Sequence, residues 1–362
     1  MNKYLFDRYA LHKDLVDNRG HFTGFLLAVL KYPALHFIFF GWLMFMVGNM
    51  TILKILPYSW QSAFATTLSY SIAAVGFCLL MGYSGLASLG TGGFIGIGTY
   101  AVHYVMIESQ LPFGVAILAA LAVAVVIGLI VGFISLRIEG IYLVILTLGL
   151  SEILRNLYVV LADRINLSTL VVLGTKLPRN YAIYVVTVAL VIVMIITQNL
   201  INSPTGRAML AMKNSTAAAQ AMGISLIKYR LLAFVLCTAY AALSGVMLMV
   251  TVRSAMASDS TGFYALITSL NILAAVIIGG FKSIWGAVFG CYVMYGLQTT
   301  LLNQIPFLQE NPIIITFVSG ILVILVVMFY PGGLAQLLCE LAVTVRKLYK
   351  KGKEGRYGKD LG

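Results

Sequence analysis

The chain has 362 residues, of which 60% are hydrophobic and only 10% charged, with a formal net charge of +12. Soluble domains carry about 25% charged residues, so this apolar surface does not fit inside one aqueous core and a soluble globular protein is excluded. Cys78, Cys237, Cys291 and Cys339 have no CxxC spacing and lie in or beside apolar runs, so they read as small hydrophobes and not as a disulfide framework or metal site.

Residues 1–35 are polar and basic, without the short apolar core and cleavage site of a signal peptide. They are predicted to remain as a cytoplasmic segment. Apolar runs near the roughly 20 residues that cross a bilayer as helix then follow at His36–Leu56, Trp60–Met81, Ser88–Met106, Pro112–Leu136, Ile141–Ala162, Tyr181–Ile201, Leu231–Val252, Phe263–Phe281, Ile284–Leu302 and Pro312–Tyr330. The expectation is an all-α integral membrane protein of about ten transmembrane helices, with residues 36–331 as the transmembrane domain. Alternating strand-like segments of about ten residues, the mark of an outer-membrane barrel, do not occur. Residues 332–362 are predicted to be a basic cytoplasmic tail suited to contact with the lipid bilayer.

Basic residues collect on the cytoplasmic side of membrane proteins. With ten spans and both termini inside, the outer loops hold only Lys54, Arg164, Lys176, Arg179 and Arg253, Arg155 lies within a span, and every other Lys and Arg falls inside. Topology thus explains the positive charge, and no nucleic-acid partner is called for. If Ser88–Met106 dipped in and returned, the N-terminal half would invert, and Lys3, Arg8, Lys13, Arg19 and Lys31 would face outward against this rule.

The stretch GYSGLASLGTGGFIGIG, Gly82 to Gly98, is dense in glycine. Gly92 and Gly96 have the spacing that lets helices approach closely in lipid, which favours tight packing. A run this dense also suits a partly broken segment lining a solute path, because irregular backbone at membrane depth is tolerated only beside protein or a cavity. Gly92, Gly93 and Gly96 are candidates for that path.

Glu152 and Arg155 stand three residues apart in the fifth apolar run, where an isolated charge is costly and an opposite neighbour offsets part of the cost. Two roles fit: an ion pair locking helices together, or a gate in the path. Asn271 is a weaker polar signal of the same kind. No nucleophile, base and orienting acid assemble, and GGFKS, Gly279 to Ser283, lacks the glycine before Lys that a phosphate-binding loop needs. No catalytic site, metal site or cofactor is predicted on this chain.

Between the sixth and seventh runs lies SPTGRAMLAMKNSTAAAQAMGISLIKYR, Ser203 to Arg230, basic and free of acidic residues. Ser203 followed by Pro204 predicts a helix start. Asn214 or Ser215 caps a second short helix over Thr216–Met222, which Gly223 ends in the left-handed conformation. Two rigid short helices projecting from the spans suit a transporter driven by a separate ATPase.

Four ordered blocks, GYSGLASLGTGGFIGIGTYAV, LRIEGIYLVILTLGLSEILRN, SPTGRAMLAMKNSTAAAQAMGIS and IIGGFKSIWGAVFG, with the closing FYPGGL, resemble the LivM-type permeases of bacterial branched-chain amino-acid ABC importers. The resemblance covers about Gly82 to Gly333 and implies a type II ABC importer-like fold in the bacterial inner membrane. It implies coupling to the ATPase through Gly206, Arg207, Ala218, Ala219 and Gly223, although Ala217 stands where the older importer motif has Glu. It also implies four partners: a second, LivH-like permease subunit, two cytoplasmic ATPases carrying ATP and Mg, and an extracytoplasmic solute-binding protein. Arg164, Arg179 and Arg253 are candidates for docking that binding protein, since guanidinium groups suit carboxylates on a partner.

ADRINLSTLVVLGTKLPRN stands where the family often has a Gly-Gly-x-Asn-Gly segment, so the solute is open. Urea, short amides, nucleosides and sugars are alternatives to branched-chain or other amino acids. The rival mechanism is an ion-coupled secondary transporter using Glu152.

Overall fold

A computed structural model describes residues 33–52, 58–135, 141–162, 164–167, 171–172, 175–176, 178, 181–258 and 262–296, with isolated positions at 300, 320, 321, 324, 328 and 333. Most of the predicted span Pro312–Tyr330 and nearly all of segments 1–35 and 332–362 lie outside the described residues.

The described chain is mostly helical, in the order α1 (Pro33–Ile52), α2 (Tyr58–Leu79), α3 (Thr91–His103), α4 (Phe113–Ser135), α5 (Ile141–Ala162), α6 (Ala182–Asn202), α7 (Pro204–Asn214), α8 (Thr216–Ala221), α9 (Leu226–Val252), α10 (Leu266–Gly279) and α11 (Ile284–Cys291). Five helical segments, Ser59–Ser84, Phe113–Ile134, Tyr142–Ala162, Ala182–Asn202 and Leu226–Val252, are long and apolar enough to cross a membrane. Shorter apolar helices at His36–Met50, Leu266–Gly279 and Ile284–Gly296 fall within three more of the expected spans, and α3 falls within a fourth. α10, at 14 residues, is about 21 Å long, short of a hydrocarbon core of about 30 Å.

α2 and α9 form the centre. α2 carries hydroxyls that an apolar environment would penalise, yet each bonds back into its own helix: Thr67 Oγ1 to Ala63 O at 2.8 Å, Ser69 Oγ to Ala65 O at 2.9 Å, Ser71 Oγ to Thr67 O at 2.8 Å. That bonding lets a polar-looking sequence be buried among apolar neighbours. α3 lies against α9 with backbone touching backbone, because a Cβ at Gly98 would overlap Ala242 O and one at Gly245 would overlap Ile95 O. α10 and α11 make a second such seam, where Gly290 meets Ala275 O and Gly279 meets Gly286 O. Small residues at these crossings replace side-chain layers with direct contact.

Among the described residues three helices change pitch at their ends, α11 running into a π-helical turn at Tyr292–Gly296. α2 runs into a π-helical turn, Leu80–Ser84, closed by Gly85 at φ 77°, whose N–H bonds Leu80 O. α3 runs into another, Tyr104–Glu108. Between Gly85 and Gly90 the chain is irregular, so the glycine-dense stretch is both broken, before Thr91, and tightly packed, after it.

The all-α expectation misses two small ribbons. β1 (Arg164–Asn166) pairs antiparallel with β4 (Ser254–Met256), Ile165 opposite Ala255, and β2 (Val171–Val172) pairs with β3 (Thr175–Lys176). Leu167 N–H donates to Arg253 O at 2.7 Å, extending the first ribbon. It ties the ends of α5 and α9 at the face of the bundle opposite α7 and α8.

Candidate functional site

The 203–225 segment is built as two capped helices. Ser203 adopts an extended backbone, its Oγ accepts from Gly206 N–H at 3.4 Å, and Pro204 occupies the first turn of α7. Ser215, also extended, accepts from Ala218 N–H at 3.3 Å to start α8. At the far end Gly223 sits at φ 78°, its N–H bonding Gln220 O at 2.9 Å while Ile224 N–H bonds Ala219 O at 3.0 Å. Those two bonds are the paired closure of a Schellman end.

The candidate coupling residues divide by direction. Gly206 is buried where a Cβ would strike the last carbonyls of α6, at Leu200 and Ile201, and Ala219 is fully buried. Arg207, Ala218 and Gly223 are exposed, together with Ala217, Gln220, Ala221 and Met222. The inward set fixes the two helices to the bundle, and the outward set forms a small-residue surface with a methionine at its edge.

Sequence reasoning missed the residue that fastens this segment. Lys213, in the last turn of α7, points its ammonium at the end of α2, donating to Met81 O at 2.9 Å and Gly82 O at 2.8 Å. It also lies 4.5 Å from the centroid of the Phe281 ring. Burial and the nearby Lys282 push its pKa below the usual lysine value. The carbonyls it holds are the unsatisfied end of a helix, where a cation is favoured.

The candidate path residues are placed on three helices. Gly92 N–H donates to Ser269 Oγ of α10 at 2.8 Å, Gly93 N–H to Ser151 Oγ of α5 at 2.9 Å, and Leu89 N–H to Thr147 Oγ1 at 3.0 Å. The first amides of α3 are thus satisfied by hydroxyls from two other helices, while its own N-cap position, Gly90, offers no side chain. Gly96 faces the Tyr158 ring, and Tyr158 Oη donates back to Gly93 O at 2.7 Å. Thr147, Ser151, Leu154 and Tyr158 form one buried stripe on α5, and that helical spacing was the readable signal for this interface.

Glu152 and Arg155 are brought together beside that stripe. Arg155 Nε donates to Glu152 Oε1 at 3.0 Å, its Nη2 reaches the same oxygen, and its Nη1 reaches Ala257 O at 3.4 Å. Their side chains are 22% exposed for Arg155 and 45% for Glu152, so the pair lies at the edge of the α3–α5 contact and not within it. Asn271 lies on α10 and is half-buried.

At the ribbon face, Arg164 is exposed. The sequence places Arg253 on the outer surface, but the structure leaves it only 8% exposed, with a left-handed backbone at φ 64° that caps α9. Arg179 lies outside the described residues.

The model of the family described as branched-chain amino acid transport system / permease component matches residues 60–327, which is most of the chain. The chain belongs to this family. Among the relatives of this family member are the high-affinity branched-chain amino acid transport system permease proteins LivM of Salmonella typhimurium (strain LT2) and Escherichia coli (strain K12), each 28% identical over 259 residues. That alignment takes in 63% of this chain and 60% of theirs, so the permease-family chain spans less than two thirds of the length of the curated relatives it matches. No solved structure matches.

Proposed function

We propose that the chain is the membrane-spanning permease subunit of a bacterial ABC importer, carrying a branched-chain or other amino acid across the inner membrane. The observation that carries this reading is the pair of capped helices, α7 and α8, fixed to the bundle by Gly206, Ala219 and Lys213 and presenting Arg207, Ala218 and Gly223 outward. Family membership supports the same assignment. In this reading residues 203–230 are the cytoplasmic coupling loop, residues 36–331 cross the membrane about ten times in a type II importer arrangement, and segments 1–35 and 332–362 lie inside.

Two cytoplasmic ATPases bind ATP and Mg and hydrolyse the nucleotide, a second LivH-like permease completes the pathway, and an extracytoplasmic binding protein delivers solute at the β1–β4 face. This chain itself binds no nucleotide and is not an enzyme. Gly92, Gly93, Gly96, Glu152, Arg155 and Asn271 line or gate the solute path in this scheme. The ion-coupled alternative draws less support, because Glu152 is engaged by Arg155.

The test is purification of the tagged chain from a native membrane, followed by uptake of labelled leucine, isoleucine and valine into liposomes. The expected result is co-purification of ATPase and permease subunits and uptake requiring ATP and a binding protein. Uptake driven by an ion gradient in the chain alone would overturn the reading.

A further inference from the structure

Lys213 touches three elements at once. Its backbone belongs to α7, its ammonium holds Met81 O and Gly82 O at the end of α2, and its charge lies over Phe281 in the turn between α10 and α11. The carbonyls are available because Gly85 N–H and Leu86 N–H both turn back to Leu80 O, leaving the next two oxygens without a backbone donor. The same place is tied twice more: Tyr83 Oη donates to Lys282 O at 3.2 Å and Cys78 Sγ to Phe281 O at 3.2 Å. Gly82 must be glycine here, since a Cβ would overlap Phe281 O, and a Cβ on Gly85 would stand 3.3 Å from Lys213 Cγ. The lysine stem is therefore lodged against backbone, not lying free on a surface.

The rest of the α7 contact is of a different kind. Met209 and Met212 are buried on its inner face, and flexible thioether side chains adapt to displacement without transmitting it. A charged donor shared by two carbonyls is directional and resists sliding. Resting on the importer reading above, we propose that Lys213 is the positioning residue that passes displacement of the coupling helix α7 to the membrane-embedded core. It does so by holding the end of α2 and the Gly280–Ser283 turn in one mechanical unit. α2 is the buried central helix and leads directly, through residues 85–90, into α3, so movement at its end reaches the glycine-lined interior.

The experiment uses the full chain co-expressed with its partner subunits and reconstituted in liposomes, reading both ATP hydrolysis and solute uptake. Lys213→Met keeps the stem length and removes the charge; it should insert, bind the ATPases and hydrolyse ATP, with transport per ATP lowered about tenfold or more. Lys213→Arg should retain most of the coupling, because a guanidinium can donate to both carbonyls and stack on Phe281. Phe281→Leu, which keeps the charge and both hydrogen bonds, should fall between them. A wild-type ratio of transport to hydrolysis in Lys213→Met would overturn the proposal. So would failure of Lys213→Met to insert together with wild-type coupling in Phe281→Leu, which would assign the lysine to folding alone. Failure of the importer reading looks different: the wild-type complex would then lack ATPase subunits or take up solute without ATP.

Discussion

Gly223 has open space around the position a Cβ would take, so its requirement is one of backbone angle and not of packing. Left-handed geometry costs an ordinary L-residue about 1–2 kcal/mol, while asparagine visits it readily. Gly223→Val should therefore leave insertion intact and abolish transport and solute-stimulated ATPase activity, whereas Gly223→Asn should keep most of both. Stimulated hydrolysis at wild-type level in the valine variant would remove the α8 terminus from coupling. The Glu152–Arg155 pair is a second test at this scale. Glu152→Gln keeps an oxygen that can accept from Arg155 but leaves the guanidinium charge uncompensated, so it should lower thermal stability by about 1 kcal/mol relative to the double change with Arg155→Gln. Equal stability with complete loss of uptake in both variants would mark a gate instead. Gly223, Ser203 and the acid–base pair were legible in the sequence because each obeys a local rule. Lys213 was not, since its partners lie more than a hundred residues away at the end of another helix.

At the scale of elements, the apolar runs gave helices close to their expected places, and the misses have physical causes. α9 begins at Leu226, ahead of the apolar run at Leu231, because Lys228 and Tyr229 extend a helix past its apolar limit. β1 and β4 were invisible to periodicity, since three-residue strands are too short to show a period and pair across about 90 residues of sequence. The start of α3 is the informative case: Gly90 gives no cap, and hydroxyls from α5 and α10 take over that work. Removing them by Ser151→Ala and Ser269→Ala leaves two buried amides unsatisfied, at about 1–3 kcal/mol each. Each single variant should lower the unfolding temperature in detergent, and the double variant should lower it further. No shift in either would mean that other acceptors, or water, serve these amides.

Across the whole molecule, composition alone established a membrane protein, and charge asymmetry gave an orientation that remains part of the proposal. In the proposed scheme Arg164 is the more accessible docking candidate, since Arg253 is buried. Arg164→Ala should weaken that affinity at low salt and flatten its salt dependence, because an exposed charge steers encounter and is screened. Binding at low and high salt checks this, and unchanged affinity and slope would exclude Arg164. The solute itself was not legible, because the glycine-dense stretch is packed against other helices and offers few side chains from which a ligand's chemistry could be read. Those crossings have a further consequence. Where α3 lies on α9 through Gly98, Ala242, Gly245 and Ile95, there is no layer of side chains on which one helix could shear over the other. The two helices are a welded joint, and any alternation between inward and outward openings has to take place by swinging other parts of the bundle around it.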